Sequence, residues 1–120
     1  MTIAALVAAL AGCLFILVIG ARFLLAPNIA LAGYGVTADR VRALTSIKGV
    51  RDITSGIVPL VVLLVAGHET FGWALVAAAI TPIGDAIIVV TNGGTLRQAL
   101  SVHVATAAVL VAAGLILALL

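Results

Sequence analysis

The sequence predicts an all-α fold, an integral membrane four-helix bundle with a short interfacial helix between its first and second spans, and three observations predict it. Of the 120 residues, 65% are hydrophobic and 8% charged, against about half and about a quarter in soluble domains. The mean hydropathy is +1.43. The apolar residues gather into stretches separated by proline, glycine and polar clusters, and a bilayer-spanning helix needs about 20 residues. The length therefore holds at most four spans in one domain, residues 1–120.

The first span covers about residues 2–25 and is stopped by Pro27, which cannot continue a helix, with Asn28 beside it. No basic residue precedes this stretch, so it reads as a span rather than an export signal. Leu10-Ala11-Gly12-Cys13 has the shape of a lipoprotein processing box, but without a charged lead-in Cys13 reads as a packing residue. Gly33-Tyr34-Gly35 marks a turn, and Thr37 can cap a helix in which Val41, Leu44 and Ile47 recur opposite Arg40 and Arg42. That amphipathic stretch is the expected interfacial helix. It leads through Gly49 into the second span, about residues 50–66, which Gly67 and the polar His68-Glu69-Thr70 terminate.

The third span covers about residues 71–91, with Trp73 near its start as an interfacial anchor. Pro59 in span two and Pro82 in span three are kink candidates. Asn92-Gly93-Gly94 closes span three, and Thr95-Leu96-Arg97-Gln98 matches a capping box that opens the fourth span, about residues 96–120.

All six basic residues, Arg22, Arg40, Arg42, Lys48, Arg51 and Arg97, lie in or beside the first and third connections. By the positive-inside rule that face is cytoplasmic, which puts both termini on the other side of a cell (plasma) membrane. Arg40, Arg42 and Arg97 are accounted for by topology and lipid contacts, and the bilayer itself is the first expected partner. His68 and Glu69 fall in a solvated loop on the opposite side.

A charge at mid-bilayer costs roughly 2.5–3.5 kcal/mol on insertion scales, so intramembrane ionisable residues mark candidate sites. Counted from the outer ends at about 1.5 Å per residue, Asp85 lies about 21 Å deep, Asp52 and Arg51 about 22–24 Å, His103 about 25 Å and Arg22 about 30 Å. Each span thus brings an ionisable group to one layer. Lys48, Arg51, Asp52 and Ser55 share a stripe of the second span, which Pro59 extends. Thr81, Asp85 and Asn92 share a face of the third, and His103 and Thr106 are neighbours on the fourth.

The expected site is a polar pocket facing the cytoplasm beneath an apolar upper half. Asp85, His103 and Asp52 are its candidate acid-base residues, and Arg22, Arg51 and Ser55 its ligand-binding residues. The competing structural explanation is ion pairing, Arg22 with Asp85 and Arg51 with Asp52 or Asp85, together with snorkelling of Lys48 and Arg51.

Several chemistries are excluded. One cysteine permits no intrachain disulfide and no thiolate metal site, and two histidines on opposite sides make no metal or haem pair. The chain has no phosphate-binding loop, dinucleotide fingerprint, HExxH or nucleophile elbow. It has no basic run or aromatic platform for nucleic acid. The expectation is no metal and no cofactor.

Five blocks carry a family resemblance: Arg22-Phe23-Leu24-Leu25-Ala26-Pro27, Gly33-Tyr34-Gly35-Val36, Lys48-Gly49-Val50-Arg51-Asp52-Ile53 with Gly56, Pro82-Ile83-Gly84-Asp85-Ala86, and His103. In that spacing the chain resembles a domain-of-unknown-function family of small bacterial and fungal four-helix membrane proteins, similar to DoxX-like proteins. The resemblance implies fold and membrane location and assigns no catalytic role.

Three functional readings follow. The first is a membrane-embedded protein that binds a small lipophilic molecule by its polar end, with a cofactor-independent isomerase or cyclase as the economical reaction. Asp85 or His103 would then move the proton while Arg51 and Arg22 stabilise negative charge. The second is a small proton-coupled transporter working at Asp85. The third is an accessory or assembly subunit. Gly12, Gly20, Ala77, Ala78, Gly84 and Gly114 permit close helix contacts in the bundle or in a homodimer, and do not tell the two apart.

Overall fold

The computed structural model describes residues 2–120, without the side chains at positions 2, 5, 6, 8–10, 12 and 13. The packing roles expected of Gly12 and Cys13 fall outside the described side chains. The chain is all-helical, with no strand among the described residues. Its helices are α1 (Thr2–Leu25), α2 (Pro27–Tyr34), α3 (Val41–Ala78), α4 (Ile80–Thr91), α5 (Leu96–Gln98) and α6 (Ala105–Leu119), with a π-helical segment at Ala99–Val104 between the last two. Two stretches, Val41–Thr91 and Leu96–Leu119, are long and apolar enough to cross a membrane. By internal contacts the chain divides into two units, Met1–Val50 and Arg51–Leu120.

In the first unit, α1 closes with the Ala26 amide donating to the Arg22 carbonyl at 2.8 Å. Pro27 then begins α2 rather than only ending α1. Its fixed φ suits a first helical position, where the missing N–H is not needed. Gly35, at φ 97°, ends α2 in the left-handed conformation that glycine adopts without penalty. Buried Ala30 lets α2 pack on α1, and Phe23 and Tyr34 meet edge to face with centroids 6.1 Å apart and planes at 79°.

The short connecting helix is therefore not where the sequence predicts it. It occupies residues 27–34, whereas Val41, Leu44 and Ile47 belong to α3, which passes through Gly49 without a break. Thr37 donates its hydroxyl to the Asp39 carboxylate instead of capping a helix. Helix formation then starts at Val41, and once nucleated it continues at the cost of about 1 kcal/mol for a single glycine.

In the second unit, α3 runs through Pro59 and is interrupted at Gly67, whose φ of 81° and ψ of −179° only glycine readily adopts. The stop signal at Gly67 thus becomes a kink between two arms of α3, of which residues 51–66 and residues 68–78 lie in this unit. The next interruption is at Ala79, whose amide is shared between the Leu75 and Val76 carbonyls at 3.2 Å each. Pro82, the predicted kink, lies instead in the first turn of α4, where its lack of an N–H costs little.

At the α4–α5 turn, Gly93 takes φ 87° and the Gly94 amide donates to the Val89 carbonyl at 2.7 Å. Thr95 caps α5, its hydroxyl oxygen accepting from the Gln98 amide at 3.1 Å.

Every buried residue among the described side chains is alanine, glycine or proline. Ala79 and Ala99 are 1% and 2% exposed, whereas Leu64 is 84% and Ile80 74% exposed. This inverts the arrangement of a water-soluble domain, in which large aliphatic side chains fill the interior. The second arm of α3 and α6 approach closely. A Cβ added at Gly72 would lie 2.5 Å from the Gly114 carbonyl oxygen, and one at Gly114 would lie 2.6 Å from the Gly72 oxygen. Gly114 was an expected contact and Gly72 was not, while Gly20 and Gly84 have no neighbour within 4 Å of an added Cβ.

Candidate functional site

The site sits in the second unit, where α4 packs against the π segment. Small Ala86 on α4 and Ala99 on the π segment, both buried, allow the two backbones to approach. Asp85 is carried next to Ala86, and His103 lies in the widened π turn. Such turns shift the side chains they carry out of the α-helical register and recur at functional sites. The two side chains are 31% and 25% exposed, and His103 Nδ1 stands 4.0 Å from Asp85 Oδ2. That distance is too long for a hydrogen bond. It is an ion pair when the imidazole is protonated, and a gap that one ligand oxygen can bridge with hydrogen bonds to both sides.

The same unit holds a groove of about 290 Å³, lined by Thr54, Ser55, Val58 and Pro59 from the first arm of α3, Ala74 and Ala78 from the second, and Thr81 from α4. Thr81, which lines the groove, and Asp85 are one turn apart and share a face of α4. The lining is largely apolar with hydroxyls at intervals, a pattern typical of small-molecule sites. Ser55 donates its hydroxyl to the Arg51 carbonyl at 2.8 Å, which leaves its oxygen lone pairs for a ligand. Thr106 likewise donates to the Val102 carbonyl at 2.6 Å, and so its hydroxyl serves the backbone rather than His103.

Of the predicted site residues, the structure brings Asp85 and His103 together. Arg51 and Asp52 lie at the start of the second unit and are exposed, and Arg51 forms no ion pair with Asp85 among the described residues. Arg22 belongs to the first unit, where it lines a separate cavity. The sequence reading missed Thr54, Ala74 and the π segment. Ala74 and Ala78 at i, i+4 were the available signal, because two small side chains one turn apart leave a hollow on a helix face. No group of three or more His, Cys, Asp or Glu able to hold a metal occurs among the described residues.

Fold and site together define an all-helical protein whose buried residues, among the described side chains, are alanine, glycine and proline, with large apolar side chains exposed and a half-buried carboxylate-imidazole pair one helical turn from a groove-lining threonine. The chain belongs to the family described as a domain of unknown function, DUF4267, whose sequence profile matches residues 13–117. No curated protein and no solved structure gives a significant match.

Proposed function

We propose that the chain is an integral membrane protein, of the same broad kind as DoxX-like four-helix proteins, that binds a small lipophilic molecule in the second-unit groove. The observation that carries this reading is the half-buried Asp85–His103 pair, 4.0 Å apart, with Asp85 one turn of α4 from Thr81 of a largely apolar groove. The outward-facing Leu, Ile and Val support the membrane setting, because in lipid the apolar side chains face the solvent and small residues make the helix contacts. The positive-inside rule then orients the basic connections to the cytoplasm and both termini away from it.

Val58, Pro59, Ala74 and Ala78 receive the ligand body. A ligand hydroxyl or enol oxygen bridges the carboxylate and imidazole. A protonated imidazole donates to that oxygen, while the carboxylate accepts from a ligand hydroxyl. The same pair can take a proton from one ligand atom and return it to another, which is the chemistry of an isomerase or cyclase. Arg51 and Asp52 lie on the arm that contributes Thr54 and Ser55.

The reading is tested by purifying the protein in mild detergent, extracting it with organic solvent and identifying released compounds by mass spectrometry, for wild type and Asp85→Asn. A discrete lipophilic compound present in stoichiometric amount with wild type and depleted at least about tenfold with the variant is expected, as charged hydrogen bonds contribute about 1.5–3 kcal/mol. Equal recovery from both proteins at equal helix content contradicts the role of Asp85.

A further inference from the structure

The first unit holds a second cavity, of about 160 Å³, between α1 and α2 and lined by Ile19, Arg22, Phe23, Ala30, Gly33 and Tyr34. Its lining residues with polar side chains are Arg22 and Tyr34, and the others are apolar or glycine. The unit contains four basic residues, Arg22, Arg40, Arg42 and Lys48, against the single carboxylate of Asp39. Asp39 accepts from Thr37, and no ion pair joins it to Arg22 among the described residues. Helix α1 has 24 residues with Arg22 in its last turn. At 1.5 Å per residue it rises about 36 Å, slightly more than the roughly 30 Å of bilayer hydrocarbon. Its last turn therefore lies at the depth of lipid headgroups.

We propose that this cavity binds the phosphodiester of a phospholipid headgroup. The guanidinium presents a planar fork of N–H donors that fits two phosphate oxygens, and a phenol adds a neutral donor. Phe23 anchors the Tyr34 ring by the edge-to-face contact and so fixes one wall of the cavity relative to Arg22. Exposed Leu24 and Leu25 beside Arg22 and Ile29 on α2 offer apolar surface for the acyl chains. The inference rests on the membrane reading and is independent of the groove around Asp85.

The test reconstitutes the full chain into nanodiscs of phosphatidylglycerol and phosphatidylcholine, transfers it gently to detergent and counts retained phospholipids by native mass spectrometry. Wild type is expected to keep one phospholipid per chain. Arg22→Gln is expected to lower retention about tenfold or more and Tyr34→Phe about two- to tenfold, the range for charged and neutral hydrogen bonds. Arg22→Lys keeps the charge without the fork and is expected to fall between wild type and Arg22→Gln. Arg97→Gln removes the same charge from a residue that does not line the cavity and is expected to retain lipid like wild type. An equal loss in Arg97→Gln, or retention unchanged in Arg22→Gln at unchanged helix content, would overturn the site.

Excess inorganic phosphate is expected to leave the lipid bound, because only a lipid brings acyl chains to the apolar walls. Its displacement of the lipid would reassign the cavity to a free anion. Failure to enter nanodiscs at all would overturn the membrane reading, whereas inserted protein that retains no lipid overturns this site alone.

Discussion

Replacing Gly72 with alanine adds one methyl group where there is no room for it. The new Cβ would stand 2.5 Å from the Gly114 carbonyl oxygen and 2.6 Å from the Ala118 amide nitrogen, both backbone atoms that cannot rotate away. Ordinary carbon contacts lie near about 3.5–4.0 Å, so the second arm of α3 and α6 must separate by roughly 1 Å. Overpacking of this kind costs about 1–3 kcal/mol, while alanine in place of a helix-interior glycine returns about 1 kcal/mol of propensity. The net expectation for Gly72→Ala is a loss of about 0–2 kcal/mol. Gly84→Ala supplies the reference, because Gly84 is also inside a helix and nothing lies within 4 Å of an added Cβ. There the propensity gain stands alone. The difference between the two variants isolates the steric cost, and it should be about 1–3 kcal/mol. Reversible unfolding by sodium dodecyl sulfate in mixed micelles, followed by circular dichroism, reads both stabilities. If Gly72→Ala and Gly84→Ala shift the midpoint equally and in the same direction, the Gly72–Gly114 contact does not hold these helices together.

Three further outcomes are expected. Gly67→Ala should cost about 1–3 kcal/mol in the same assay, since φ 81° with ψ −179° is strained for any residue with a Cβ. Thr95→Ala should cost about 0.5–2 kcal/mol through loss of the bond accepted from the Gln98 amide, and Thr95→Ser should restore most of it. Asp85→Asn and His103→Gln should each weaken ligand retention, and their effects should couple by at least about 0.5 kcal/mol in a double-mutant cycle, because the two side chains hold the same end of one ligand.

The helical class and most element ends were legible because they rest on local chemistry. Pro27, Gly67, the Asn92-Gly93-Gly94 turn and the Thr95 cap each act within a few residues of themselves. The placement of the short connecting helix was not legible, because Pro27 both stops and starts helices and Gly49 is a weak breaker in a nucleated helix. Depth arithmetic along the chain, which needs only the rise per residue, placed Asp85 and His103 in one layer together with Arg22, Arg51 and Asp52; the common layer followed from it, but not which members pair. The groove and the Gly72–Gly114 crossing did not, since both depend on which helix faces meet. Where the buried residues among the described side chains are all alanine, glycine or proline, hydropathy carries little information about those faces. The π segment likewise has no marker in Ala99–Val104 that separates it from an ordinary α-helical run.

The central claim, that a lipophilic molecule lies in the groove with its polar end at Asp85 and His103, is tested most directly by filling the groove while leaving both ionisable groups in place. Native mass spectrometry of Ala78→Leu beside wild type, at matched helix content, makes that measurement. Ligand bound to wild type and absent from Ala78→Leu is the predicted result, and ligand retained undiminished by Ala78→Leu would contradict it.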